Sequence, residues 1–251
     1  MIEIDTEVLT ISTIFLIIII IFAWLITSFC KNVVYETLME NMENIENIKT
    51  TKNPYVKGYA NKDDPHVKPF VLKNVLSKDD CDLIINHCID KLEESEEMGG
   101  KYVNTRYSQH YWISKNNPLV KPAFERMAKM FNIPFENAED LQVVKYLPKQ
   151  YYGDHHDSCC ELHTKCTDFV KRGGQRILTV QVYLNDDFTN GETYFKNLDI
   201  KMKPGTGNAI IFYPLAIGTN KCHPDALHSN LPVSTGFKWI MNIWFRENKF
   251  V

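Results

Sequence analysis

The segment Ile177-Leu-Thr-Val-Gln-Val-Tyr-Leu184 alternates strictly between two kinds of side chain. Leu178, Val180, Val182 and Leu184 make one apolar face, and Thr179, Gln181 and Tyr183 make a more polar one. Successive side chains of a strand point to opposite sides of its sheet, so this pattern predicts a strand with a core on one side and a pocket lining on the other. Further strand-like runs follow at 200–203, 209–213 and 237–246, separated by Pro and Gly turns. Upstream the pattern differs. Residues 69–76 read as a first strand, and Ser77 caps a helix with Asp79 and Asp80 in its first turn. That helix runs through Cys81, Ile84, Ile85, Cys88 and Leu92 into the acidic stretch 93–97, and a second helix is expected over 118–131. Helices first and short strands afterwards predict an α+β fold whose strands close into a sandwich or barrel.

Residues 9–29 carry no charge. About 21 residues at 1.5 Å each reach roughly 32 Å, close to the hydrocarbon thickness of a bilayer. A cleaved signal would want a basic start and small residues before the cut, whereas Glu3, Asp5 and Glu7 precede this run and Ser28-Phe-Cys-Lys31 ends it. The sequence therefore predicts an N-terminal tail (1–8), a retained single-pass transmembrane anchor (9–29), a stalk or linker (30–66) and a globular domain (67–251). Val34, Leu38, Met42, Ile45 and Ile48 recur every three or four residues, which suits a short amphipathic stalk helix. Lys31, on the C-terminal side of the span, leans weakly toward a cytoplasmic catalytic domain.

The net charge is −3, so no basic footprint marks a nucleic-acid binder. Seven cysteines at irregular spacing, without a C-x-x-C pair, exclude a zinc ribbon. Cys159 or Cys160 could pair with Cys166 in an oxidising compartment; otherwise all are free thiols.

After the apolar run 141–146 comes Tyr146-Leu-Pro-Lys-Gln-Tyr-Tyr-Gly-Asp-His-His-Asp157. On a strand His155 and Asp157 face the same way, so they could share one metal ion. A second histidine would complete a two-His, one-carboxylate set of the kind that leaves coordination positions open. His163, His223 and His228 are the candidates. Lys238 shares a strand face with Ile240, Asn242 and Trp244, from which it could point into a barrel.

Several further motifs occur in order between about residues 70 and 246. They are Arg106-x-Ser108, Glu139-Asp-Leu-Gln-Val-Val-Lys-Tyr146, Gln150-Tyr with His155-x-Asp157, and Arg176-Ile-Leu-Thr179. Then come Tyr183-Leu-Asn-Asp-Asp-Phe188 with Gly191-Glu-Thr193, Pro204-x-x-Gly207, and His228 followed by Pro232-Val-x-x-Gly-x-Lys238-Trp239. Together they strongly resemble the prolyl 4-hydroxylase family of Fe(II)/2-oxoglutarate dioxygenases, including the small enzymes of plants, algae and large DNA viruses. The resemblance implies a double-stranded β-helix (jelly-roll) core with N-terminal supporting helices. It implies Fe(II) held by His155, Asp157 and His228, and 2-oxoglutarate held through its distal carboxylate by Lys238, with Tyr146 and Thr179 flanking it. It also implies ascorbate as reductant, and hydroxylation of peptidyl proline at C4 with O₂, giving succinate and CO₂. Arg106 and Trp112 are candidates to meet a proline-containing peptide and Tyr183 to line its pocket, with core packing weighed above peptide contact for Trp112. Family precedent would also allow the lumen of the endoplasmic reticulum. Two departures stand out: Asn190-Gly191 replaces a Gly-Gly turn, and the loop 158–166 is unlike the family's. Alternatives are action on another protein side chain such as lysine, or a membrane-tethered binding module without catalysis. Retention of His155, Asp157, His228 and Lys238 argues against the last.

Overall fold

In the computed structural model residues 58–95, 106–160 and 164–251 are described, all within the compact unit Asn44–Val251. The expected span at 9–29 and the stalk helix lie outside the described residues. Among the described residues no helix is long and apolar enough to cross a membrane.

The strands are β1 (Phe70–Leu72), β2 (Glu93–Glu94), β3 (Arg106–Tyr107), β4 (Gln109–Ile113), β5 (Leu141–Tyr146), β6 (Tyr151–His155) and β7 (Arg176–Tyr183). They continue as β8 (Thr189–Asn190), β9 (Thr193–Phe195), β10 (Ile200–Met202), β11 (Ala209–Phe212), β12 (His228–Asn230), β13 (Val233–Thr235) and β14 (Lys238–Arg246). Among the described residues three α-helices accompany them: α1 (Lys78–Cys88), α2 (Lys121–Met130) and α3 (Thr164–Lys171). One sheet has the order β1-β11-β7-β14-β5-β4-β2 and a second has β10-β9-β12-β6-β3, with β13-β8 as a separate pair. All these pairings are antiparallel.

The period-two pattern sorts the large sheet into two faces. Leu178, Val180 and Val182 of β7, and Trp239, Met241, Ile243 and Phe245 of β14, join one apolar cluster with Phe124 and Met127 of α2 and Ile84 of α1. The other face carries a second cluster that includes Val144, Tyr146, Tyr183 and Ile240, with Phe195 of the smaller sheet. Lys238 therefore does stand on the inward face with Ile240, Asn242 and Trp244.

α1 begins as expected, with Ser77 and Asp80 exchanging hydrogen bonds in a capping box. It stops at Cys88 rather than continuing through Leu92. Glu93 and Glu94 pair instead with His110 and Gln109, since extending the helix into a run of like charges gains nothing. Asn190 and Gly191 both take positive φ (56° and 72°), so asparagine does preserve the turn. α3 was not anticipated from the sequence.

The cysteines pair as Cys159–Cys166 and Cys160–Cys222. The first is one of the two short bridges weighed above, and the second was not foreseen. Cys81 and Cys88 are free and buried, and burial pushes both thiols up to about 11. Residues 58–66, at the end of the expected linker, lie against 213–225. Ala60 donates to the Cys222 carbonyl at 2.9 Å, and the His66 and His223 rings stack at 4.0 Å.

Candidate active site

His155 ends β6 and His228 begins β12, and the two are directly paired across the antiparallel ladder. Asp157 lies just beyond the end of β6. Its Oδ1 is 3.7 Å from His155 Nε2 and 4.0 Å from His228 Nε2. All three ligating atoms lie within 4.8 Å of one another.

The surrounding hydrogen bonds fix which atoms are available. His155 Nδ1 donates to the Gly153 carbonyl at 2.8 Å, and His228 Nδ1 donates to the Ala226 carbonyl at 3.0 Å. A carbonyl only accepts, so each Nδ1 carries a proton, and Nε2, which in the neutral ring holds the lone pair, is the atom turned to the centre. Asp157 is divided the same way. Thr179 Oγ1 donates to its Oδ2 at 2.6 Å and Trp244 Nε1 donates to the same oxygen at 3.0 Å, which leaves Oδ1 free. Burial favours the protonated acid, but His228, His155, Arg176 and the Thr179 hydrogen bond outweigh it and hold the carboxyl at about 2. Burial, then His228, pushes His155 well below its ordinary value. A convergent two-imidazole, one-carboxylate set fits a divalent first-row metal such as Fe(II).

Behind Asp157 stands a buried ionic network. Arg176 binds Glu139 in two places (2.6 and 2.9 Å), and Arg246 Nε donates to Glu139 at 2.8 Å. The Arg176 guanidinium lies 3.6 Å from the centre of the Trp244 ring. Glu139 is held low because its two arginines overcome the cost of burial. This Glu139–Arg176–Trp244–Asp157 relay was not read from the sequence. The available signal was Trp244's place on the inward face of β14.

From the triad a cavity of about 420 Å³ opens, walled by Tyr146, Gln142, Gln181, Asn230 and Asn242 on the barrel side. Lys238 lies beyond that wall. It is fully buried, donates to the Gly191 carbonyl (2.8 Å) and Asn230 Oδ1 (2.7 Å), and has the rings of Tyr183 and Tyr146 at 5.0 and 5.3 Å. Burial, barely offset by Glu192, pushes its pKa well below the ordinary lysine value. An ammonium kept there has hydrogen bonds but no counterion, which suits an anionic ligand.

The other expected residues are distributed unevenly. Tyr146 lines the cavity and is the cross-strand partner of Lys238. Thr179 acts on Asp157 rather than flanking the space beside Lys238. Arg106 sits at the mouth, over the Tyr152 ring at 4.8 Å. Tyr183 does not line the cavity, contrary to expectation. It is fully buried, with its hydroxyl shared between Thr193 Oγ1 and the Met202 carbonyl, because its strand position falls where the two sheets close. Trp112, expected in the core, is 41% exposed at the rim and 6.0 Å from Trp244. Of the rival histidines, His163 lies outside the described residues. His223 has both ring nitrogens engaged, by the Asp64 carbonyl and the Asp225 N–H, and its ring is parallel to His66 (3°). Parallel rings cannot aim their in-plane lone pairs at one ion.

These features can be set beside known proteins. A family model for the 2OG-Fe(II) oxygenase superfamily matches residues 141–246. A prolyl 4-hydroxylase-like protein of Acanthamoeba polyphaga mimivirus is 57% identical over 192 residues, covering 76% of this chain and 79% of its relative. Prolyl 4-hydroxylase 1 of Arabidopsis thaliana is 30% identical over 198 residues, covering 70% and 68%. The crystal structure of the collagen prolyl hydroxylase of Paramecium bursaria Chlorella virus-1, in complex with 2-oxoglutarate, superposes with a TM-score of 0.56 at 30% identity, covering 71% of this chain and 95% of that one. The antiparallel sheets thus match the jelly-roll fold of these oxygenases, and Fe(II), 2-oxoglutarate and ascorbate are the family's cofactors. The chain is a member of the prolyl 4-hydroxylase family of Fe(II)- and 2-oxoglutarate-dependent dioxygenases.

Proposed function

We propose that this enzyme hydroxylates peptidyl proline at C4, with His155, Asp157 and His228 holding Fe(II) and Lys238 holding the distal carboxylate of 2-oxoglutarate. One observation carries the reading. Two imidazole Nε2 atoms and one free carboxylate oxygen converge at the head of a cavity whose far wall hides a buried lysine. Iron held by these residues would supply O₂ activation coupled to oxidative decarboxylation of the co-substrate. The chain's own groups supply orientation. The two backbone carbonyls fix the imidazole tautomers, and Thr179 and Trp244 fix the carboxylate. Tyr146 and Tyr183 enclose the lysine end with their rings. Arg106, Tyr152 and Trp112 at the mouth offer flat aromatic and cationic surfaces suited to an extended peptide.

The uncharged run 9–29 supports a single-pass anchor, and removal of residues 1–30 should abolish partitioning into detergent while leaving turnover intact. The two disulfides favour an oxidising compartment over the cytoplasmic side to which Lys31 leans. The reaction itself is tested by following 2-oxoglutarate turnover against proline- and lysine-containing peptides, with mass spectrometry of the products. Peptide-dependent turnover with 4-hydroxyproline formed supports the reading. Hydroxylysine, or no product with any peptide, contradicts it.

A further inference from the structure

Cys160 follows Asp157 by three residues and Cys222 precedes His228 by six, and the two cysteines are bonded to each other. The disulfide therefore gives Asp157 and His228 a short covalent connection where the backbone between them is long. Both sulfurs are buried. The Cys222 end is also pinned through its backbone: its N–H donates to the Gly58 carbonyl, its own carbonyl accepts from Ala60, and between them Tyr59 reaches the cavity. Cys159, next in the chain to Cys160, is held by both ends of the Gln175 amide, at 2.9 and 2.7 Å. Cys159–Cys166 is different, because it closes a local ring with a sequence separation of 7 and joins no two ligand-bearing segments.

We propose that Cys160–Cys222 is a positioning bond for the metal centre: it sets the distance between Asp157 and His228, so that Fe(II) affinity depends on it. The inference rests on the reading of His155, Asp157 and His228 as iron ligands. A bond that served only to hold the fold together would change melting temperature and leave the metal affinity of the folded protein alone.

The test is anaerobic Fe(II) binding to the full chain, by competition with a chromogenic chelator. The parent is compared with Cys160→Ser/Cys222→Ser, with the apolar pair Cys160→Ala/Cys222→Val, and with Cys159→Ser/Cys166→Ser as control. Substitution is preferable to chemical reduction because freed thiolates bind metal themselves. Near-UV circular dichroism checks that each variant is folded at the temperature used. Groups that orient metal ligands typically contribute about 10- to 100-fold in affinity. Both Cys160/Cys222 variants should weaken Fe(II) binding by that factor, with the control within about threefold of the parent. Cys160/Cys222 variants that stay within threefold, a control that weakens equally, or failure of both variants to fold would overturn the positioning role. A parent that binds no Fe(II) would instead refute the ligand assignment beneath it.

Discussion

At one end of the cavity, three ligand candidates stand at the margins of β6 and β12, each with its second polar atom tied down and its first left free. At the other, Lys238 stands at the start of β14 among tyrosines, fully buried and in no ion pair among the described residues. The metal end is polar and backed by an ionic network, so its charges are offset within the protein itself. The lysine is buried with hydrogen bonds only to neutral groups, so its charge is left for what binds to offset. One end is prepared for a cation and the other is left short of an anion, and a small 2-oxo diacid would join them.

Removing a ligand should break the first end most severely. His228→Ala or Asp157→Ala should lower Fe(II) affinity by more than the roughly 100-fold that a supporting group costs, and turnover should fall to background. Anaerobic Fe(II) titration and 2-oxoglutarate consumption report this directly. Lys238→Ala should break the other end alone. Leaving the bound carboxylate buried without its partner costs about 3–5 kcal/mol, or roughly 10²-fold to several thousandfold in 2-oxoglutarate affinity. Fe(II) binding without co-substrate should be unchanged.

A smaller effect sharpens the contrast. Trp244→Phe keeps the ring beneath Arg176 but deletes the N–H on Asp157 Oδ2. Fe(II) affinity should fall by about tenfold while the 2-oxoglutarate affinity of the iron-saturated protein stays within about threefold.

The smallest effect is one of pH. Burial holds Lys238 below its ordinary value in the ligand-free protein, so in the window between the two values the unfolded chain binds more protons than the folded one. Stability of the ligand-free protein therefore rises with pH across that window. A carboxylate beside Lys238 raises its pKa again, so binding takes up a proton. The affinity for 2-oxoglutarate is full below the ligand-free pKa and should fall, by at most about tenfold per pH unit, as pH rises through the window. Lys238→Arg should lose that slope, because an arginine stays charged throughout. Titration calorimetry in buffers of different ionisation enthalpy would measure the proton uptake.

Legibility in the sequence follows the same division. Alternation placed Lys238, Ile240, Asn242 and Trp244 on one face, because a period of two is a local property. The His155-x-Asp157 spacing was equally local. Choosing His228 over His223 needed family motifs, and the structure supplies the physical reason, since both nitrogens of His223 are already engaged. Tyr183 and Trp112 exchanged places relative to expectation because burial on a strand face depends on where the second sheet ends, and no residue near either one encodes that. The Cys160–Cys222 bond and the Glu139–Arg176–Arg246 network join segments 37 to 107 residues apart, so no local pattern announces them.

The central claim is that Lys238 and the distal carboxylate of the co-substrate recognise each other across the cavity from the metal. It is tested by a double-mutant cycle, measuring anaerobic binding of 2-oxoglutarate and of 2-oxopentanoate, which lacks that carboxylate, to the Fe(II)-loaded parent and to Lys238→Ala. The account predicts that the parent strongly prefers the diacid, that the variant does not, and that the coupling is at least about 1.5 kcal/mol. A coupling within about 0.5 kcal/mol of zero, the range of independent sites, would contradict it.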